Sequence, residues 1–183
     1  MSEIVVLKIG GNEVDDDAFL SGLARAIAAL RTRCAPVVVH GGGKEIARLQ
    51  QALGLEPRFV DGLRVTDEET LALTEMVLSG AVNKRLVARF LAHGVPAVGL
   101  SGVDGGLLRA RRLVHPSGDL GWVGEVTEVD PTLPRLILGQ GMVPVVSPVS
   151  LGPEGRPYNV NADHAAAALA RALGAGSLAF VTN

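Results

Sequence analysis

The stretch Ile4-Val5-Val6-Leu7-Lys8-Ile9-Gly10-Gly11 decides the fold: an apolar, strand-like run ends in paired glycines, and Pro36-Val37-Val38-Val39-His40-Gly41-Gly42-Gly43 repeats the arrangement. Continuous rather than alternating apolarity asks for a strand buried on both faces. Glycine lets backbone N–H groups approach a ligand closely, and each turn runs into a helical pattern whose positive end favours an anion. Two such turns facing one pocket predict a phosphoryl ligand. The plainer reading of paired glycines is a pair of tight strand-to-helix turns, and the neighbouring residues choose between the two.

Outward from these turns, short Val/Ile/Leu runs alternate with helical patterns, which predicts crossover units on a mostly parallel sheet. The expected strands are Ile4 to Ile9, Pro36 to Val39, Ala97 to Leu100, Met142 to Pro148 and Leu178 to Thr182. The expected helices are Asp17 to Arg33, Lys44 to Leu53, Asp67 to Leu78, Ala81 to His93, Pro131 to Gly139 and Asp163 to Leu173. Around Pro116-Ser117-Gly118-Asp119 the stretches Leu107 to Val114 and Trp122 to Val129 predict a projecting hairpin. No repeat or linker divides the chain, so a single α/β domain over 1–183 is expected.

Composition excludes several classes. At 183 residues and 48% hydrophobic content the chain can bury a sizeable core. A formal charge of −2 and 3% aromatics provide neither the electrostatic footprint nor the stacking platform of a nucleic-acid binder. A lone Cys34 excludes a disulfide framework and a cysteine metal site, and a cytoplasmic compartment is expected. No apolar run approaches a membrane span, and no signal layout precedes the first strand. Neither the P-loop pattern nor the dinucleotide fingerprint occurs, since Lys44 is followed by Glu45 and no G-x-G-x-x-G follows the first strand.

The chain has 14 arginines but three lysines, Lys8, Lys44 and Lys84, and all lie in or beside the motifs. A compact ammonium retained in an arginine-rich chain suits a site that wants a point charge. Lys8 interrupts an apolar strand, so it either meets an anion, from a protein carboxylate or a ligand, or snorkels to water. Lys44 and Lys84 read as solvated helix residues. Asp163, just ahead of an alanine-rich helix, reads as its N-cap and also as a carboxylate able to hold a lysine at the mouth of the sheet. Thr66-Asp67-Glu68-Glu69 has capping-box spacing, which places Arg64 at a helix entrance. There it serves either as a bidentate clamp for an acidic substrate or in a surface ion pair. His40 reads as finishing a strand and His164 as decorating a helix start, so neither is taken as a base.

Seven segments together resemble the N-acetylglutamate kinase family, a branch of the amino-acid kinases. They are Leu7-Lys8-Ile9-Gly10-Gly11-Asn12, Val39-His40-Gly41-Gly42-Gly43, Asp61-Gly62-Leu63-Arg64-Val65-Thr66, Gly80-Ala81-Val82-Asn83-Lys84, Gly99-Leu100-Ser101-Gly102-Val103-Asp104-Gly105, Gly121-Trp122-Val123-Gly124-Glu125-Val126 and Asn159-Val160-Asn161-Ala162-Asp163. The resemblance implies a three-layer α/β/α sandwich with a mostly parallel central sheet. It also implies transfer of the ATP γ-phosphoryl group to the side-chain carboxylate of N-acetyl-L-glutamate, a step of arginine biosynthesis. Carried over by position, Lys8 stabilises the transferring group and Asp163 orients that lysine. Gly10, Gly11, Gly41 and Gly42 cradle the phosphoryl group, while Gly42, Gly43, Arg64 and Asn159 hold the acyl amino acid. MgATP is the implied co-substrate, with no tightly bound cofactor and no protein metal site. Phosphoryl transfer to a carboxylate needs positioning and charge neutralisation but no general base.

Family members continue past Phe180-Val181-Thr182-Asn183 into a second half that binds the nucleotide and supplies another lysine. This chain is therefore expected to be the acylglutamate-binding and dimerisation lobe, with weak ATP binding and little turnover alone. Helix Asp67 to Leu78 carries Leu71, Leu73, Met76, Val77 and Leu78 around more than one face, so a homodimer is expected. The resemblance further implies that arginine-inhibited, ring-forming members carry an extra helix before the first strand; only seven residues precede Lys8, so arginine feedback is not expected. The rival readings are a kinase of carrier-bound aminoadipate, a non-catalytic binding module and, last, a nucleotide-dependent oxidoreductase.

Overall fold

The computed structural model describes residues 2–11 and 14–181. Asn12 of the first motif and Thr182 at the end of the last expected strand lie outside them. The chain runs β1 (Ile4–Ile9), α1 (Asp17–Leu30), β2 (Ala35–His40), α2 (Gly43–Ala52), β3 (Phe59–Val60), β4 (Leu63–Arg64) and α3 (Glu68–Glu75). A π-helical segment (Met76–Val82) leads into α4 (Asn83–Ala92), followed by β5 (Ala97–Gly102), β6 (Leu108–Arg112), β7 (Val123–Val129) and α5 (Thr132–Gly139). The described chain closes with β8 (Val143–Leu151), β9 (Pro157–Val160), α6 (Ala162–Leu173) and β10 (Ser177–Val181).

Eight strands form one sheet in the order β10-β1-β2-β8-β6-β7-β9, with β5 also paired to β8. The pairs β1–β10, β1–β2, β2–β8 and β5–β8 are parallel, while β6–β7 and β8–β9 are antiparallel. Period-two alternation divides β2 between two cores. Val38 packs with α1, α2 and the π segment through Leu20, Ile27, Ile46, Leu78 and Val82. Val37 and Val39 pack with α5 and α6 through Ile137, Ala166 and Leu169. Helices therefore cover both faces of the sheet, which is the expected three-layer α/β/α architecture.

Several expectations are corrected. The helices read as Asp67 to Leu78 and Ala81 to His93 form one rod, because Leu78 and Val82 are both buried and the backbone passes Gly80 by widening into π geometry. The 107–129 hairpin forms, but its strands belong to the main sheet through Arg109 beside Leu151 and Val123 beside Asn159. Only its tip stands out, where Ser117 donates to Asp61 beside β3–β4 at 2.7 Å. β10 is an edge strand rather than a strand buried on both faces, and Phe180 is 53% exposed. The two-residue strands of β3–β4, and β9, are additions to the expected set.

Helix starts also differ. Asn161, not Asp163, caps α6: its backbone is extended and its side chain accepts from the N–H groups of Asp163 (2.8 Å) and His164 (3.4 Å). Asp67, not Thr66, caps α3 by accepting from the Thr70 N–H at 2.9 Å. Thr66 instead makes a parallel bridge to Gly121 and is fully buried.

Candidate active site

β1 and β2 run parallel and in register from Ile4 beside Ala35 to Ile9 beside His40, so both glycine turns leave the sheet at the same carboxyl edge. That edge is where open α/β sheets bind ligands. The Gly10 N–H donates to Val181 O and the Gly41 N–H to Ile9 O, each at 3.1 Å, which stitches the turns to their neighbouring strands. The turns then abut. A Cβ on Gly11 would lie 2.9 Å from the amide nitrogens of both Gly42 and Gly43, so only glycine permits this approach without displacing backbone. A Cβ on Gly42 would lie 2.6 Å from Leu78 Cδ2 and 3.3 Å from Val82 Cγ2. The second turn is thus wedged between the first turn and the π segment. α2 begins at Gly43 with no side-chain cap, so its first-turn N–H groups remain for another acceptor.

Lys8 shares a strand face with Val6, the face covered by α6. Its Nζ lies 2.8 Å from Asp163 Oδ1; the lysine side chain is 13% exposed and the aspartate 48%. The contact is electrostatic: Oδ1 is itself buried and has no aligned hydrogen bond, so the carboxylate holds the ammonium by charge. Because Asn161 performs the capping, Asp163 is free for this role. Its neighbour Ala162 lies near the second turn, 3.9 Å from a Cβ built on Gly41.

Arg64, at the end of β4, closes the other side. Its Nη2 donates to Gly43 O at 2.9 Å, its Nη1 to the Gln50 side chain, and its guanidinium carbon lies 4.7 Å above the Phe59 ring. Gln50 is buried and also donates to Thr70 Oγ1 at 3.2 Å, fixing the guanidinium from behind. Burial lowers the Arg64 pKa from its ordinary value. Among the described residues no carboxylate pairs with it, so the expected alternative of a surface ion pair is not found. A partly desolvated cation with neutral partners is poised for an external anion. Asn159, on β9, donates to Thr66 Oγ1 at 2.9 Å, and that hydroxyl donates to Arg64 O at 2.9 Å. The Lys8–Asp163 pair and the hydrogen-bonded series Gly43, Arg64, Thr66 and Asn159 thus flank the two abutting glycine turns.

The profile of the amino acid kinase family matches residues 3–183. This chain belongs to the amino acid kinase family. Among curated relatives it is 54% identical to the acetylglutamate kinase of Roseiflexus sp. (strain RS-1), over 98% of this chain and 67% of that protein. It is 48% identical to the acetylglutamate kinase of Geobacillus thermodenitrificans (strain NG80-2), over 100% of this chain and 70% of that protein. The chain thus spans about two thirds of the length of these kinases. Among solved structures, smu.665 from Streptococcus mutans UA159 superposes with a TM-score of 0.86 at 30% identity, covering all of this chain and 74% of that one. The N-acetylglutamate synthase of Neisseria gonorrhoeae, complexed with coenzyme A and N-acetyl-glutamate, superposes at 0.84 with 29% identity, covering 98% of this amino acid kinase chain and 41% of the synthase chain.

Sequence reasoning missed Gln50, Thr66 and Asn83 as members of the arrangement. Polar residues inside helical or turn patterns read as solvent-facing, and only packing against the sheet buries them. Lys84 is exposed as expected, yet its ammonium donates to Asn83 Oδ1 at 2.9 Å rather than standing free in water. His164 is exposed at the start of α6, also as expected.

Proposed function

We propose that this chain supplies the acyl-amino-acid and phosphoryl ends of an acetylglutamate kinase site. A side-chain carboxylate oxygen of N-acetyl-L-glutamate attacks the γ-phosphorus of ATP, the bond to the β–γ bridging oxygen breaks, and ADP leaves with that electron pair. The product is an acyl phosphate, and no proton is moved. The observation that supports this most directly is the contact between Gly11 and the Gly42 and Gly43 amides beside the Lys8–Asp163 pair. Side-chain-free backbone donors and a buried ammonium at one strand edge suit a tetrahedral anion whose charge is shared among equatorial oxygens. Lys8 neutralises the transferring group, and Asp163 keeps the ammonium from swinging to water.

Arg64, with Asn159 fixed beside it through Thr66, receives the substrate α-carboxylate. Free glutamate carries an α-ammonium that the Arg64 guanidinium repels, whereas the acetylated amine is neutral, so the site favours the acylated substrate. Magnesium comes with the nucleotide, held mostly by phosphate oxygens. The reading includes a cytoplasmic enzyme and a homodimer formed through the exposed side of the α3–π–α4 rod, where Met76 is 58% exposed.

Calorimetry with acetylglutamate, aminoadipate and free glutamate tests the substrate assignment on the chain as it stands. Acetylglutamate should bind at least about tenfold more tightly than either competitor, ~1.4 kcal/mol. Equal affinities, or no acetylglutamate binding, would refute it. Adding MgATP and hydroxylamine then reads any acyl phosphate as hydroxamate.

A further inference from the structure

We propose that His40, held by Asn83, is a positioning residue that pins the Gly41 carbonyl and thereby aims the Gly42 amide at the phosphoryl group. The inference rests on the phosphoryl reading of the glycine turns. Three successive glycines have more backbone freedom than any other tripeptide, so a donor array built from them must be tethered from outside to be preorganised. His40 is the last residue of β2, 0% exposed, and its Nδ1 lies 2.9 Å from Gly41 O.

Neighbouring groups determine which ring nitrogen carries the proton. Lys84 Nζ donates to Asn83 Oδ1 at 2.9 Å, so the amide oxygen must face the ammonium. Asn83 Nδ2 then points at acceptors: Val145 O at 2.9 Å, Leu100 O at 3.2 Å and His40 Nε2 at 3.1 Å. Two amide hydrogens serve three acceptors, so one is shared. Nε2 is consequently unprotonated, and Nδ1 carries the hydrogen and donates it to Gly41 O. The ring is neutral, with both nitrogens engaged inside the protein. It has no free position from which to take a substrate proton.

Peptide planarity carries the effect outward. In a trans peptide the carbonyl and the following N–H point in opposite directions, so tethering Gly41 O inward turns the Gly42 N–H toward the turn. That nitrogen is one of the two lying 2.9 Å from a Cβ placed on Gly11, where the turns meet. Asn83 is also 0% exposed and sits at the exit of the π segment, whose Leu78 and Val82 press on Gly42 from behind. The glycine cradle is thus braced by an imidazole on one side and two aliphatic side chains on the other.

Nitrogen-15 NMR of the wild-type chain tests the tether directly. His40 should give the neutral Nδ1–H tautomer at neutral pH, and an Nε2–H tautomer overturns the proposal. Titration with inorganic phosphate should move the Gly42 amide resonance. His40→Leu should weaken phosphate binding about tenfold, the value of one lost hydrogen bond. His40→Asn, whose Nδ2 occupies the place of Nδ1, should restore binding to within about threefold of wild type. Wild-type affinity in His40→Leu, or failure of His40→Asn to improve on it, overturns the proposal. Should His40→Leu not fold, the tautomer and the affinity of His40→Asn decide. A wild-type chain that binds no phosphate refutes the phosphoryl reading itself, a result distinct from a wild type that binds and a tether that proves irrelevant.

Discussion

An ammonium sits inside an apolar strand at Lys8 because the strand ends there and Asp163 meets it across the α6 face at 2.8 Å. Asp163 is half open to water but its Oδ1 is buried, so Lys8→Met leaves that oxygen without its counter-charge and should lower the melting temperature by several degrees. The same change should cut phosphoryl transfer, measured as hydroxamate formation in a form of the enzyme that turns over, by about 10²–10³-fold. Normal turnover in Lys8→Met would reduce the lysine to a structural residue. His40 makes a second residue-scale prediction. Burial lowers its pKa from 6.5 to about 4; the Gly41 carbonyl opposes the shift and Lys84 adds to it. The unfolded chain therefore takes up the proton first as pH falls. Stability from the neutral ring is complete above about pH 6.5 and is lost between there and about pH 4. Urea unfolding at pH 7.5 and 5 should show wild type losing on the order of 2 kcal/mol more than His40→Asn across that interval. Equal losses would mean that the imidazole is solvated.

At the scale of elements, the π segment, the second glycine turn and α4 act as one packed unit. Gly42→Ala drives a methyl to 2.6 Å from Leu78 Cδ2 and should cost about 1–3 kcal/mol of stability. Gly41→Ala meets nothing nearer than 3.5 Å and should melt like wild type. Thermal unfolding of the pair checks both, and equal melting temperatures would contradict the packing described. The glycine turns were legible because glycine after a β-branched run has few other uses. Lys8, Asp163 and Arg64 were legible because a charge placed in an apolar run or at a helix entrance needs a partner. β1 falls on its predicted bounds for the same reason, six residues that can only be a strand. β3 and β4 have two residues each, and β9 starts at Pro157, so none carries enough period-two pattern to be seen. The gap expected between Leu78 and Ala81 closes because burial of Leu78 and Val82 outweighs the modest helix penalty of Gly80. Gln50 and Asn83 were invisible as site residues because an amide on a helix shows its burial only after the helix is packed.

For the whole molecule, the α3–π–α4 rod keeps Leu71, Leu73, Val77 and Leu78 in its own core and leaves Met76 outside. The exposed stripe is narrower than the apolar pattern implied, with Ala72, Gly80 and Ala81 beside the methionine permitting close approach of a second copy. Sedimentation should show a dimer at micromolar concentration, and Met76→Glu should convert it to monomer. A monomeric wild type would place the methionine on an ordinary surface. β8 has a wider consequence. It lies between β2 and β5 along its first half and meets β6 and β9 near its end, so four neighbours depend on a strand that starts only at Val143. While the chain is being synthesised, β1 and β2 emerge early as two aliphatic ribbons, and β2 keeps one bare edge until those later residues leave the ribosome. At about 5–20 residues per second, that interval lasts several seconds. Nascent chains stalled short of β8 should therefore be protease-sensitive and retained by chaperones, while chains released past α6 close into a resistant body.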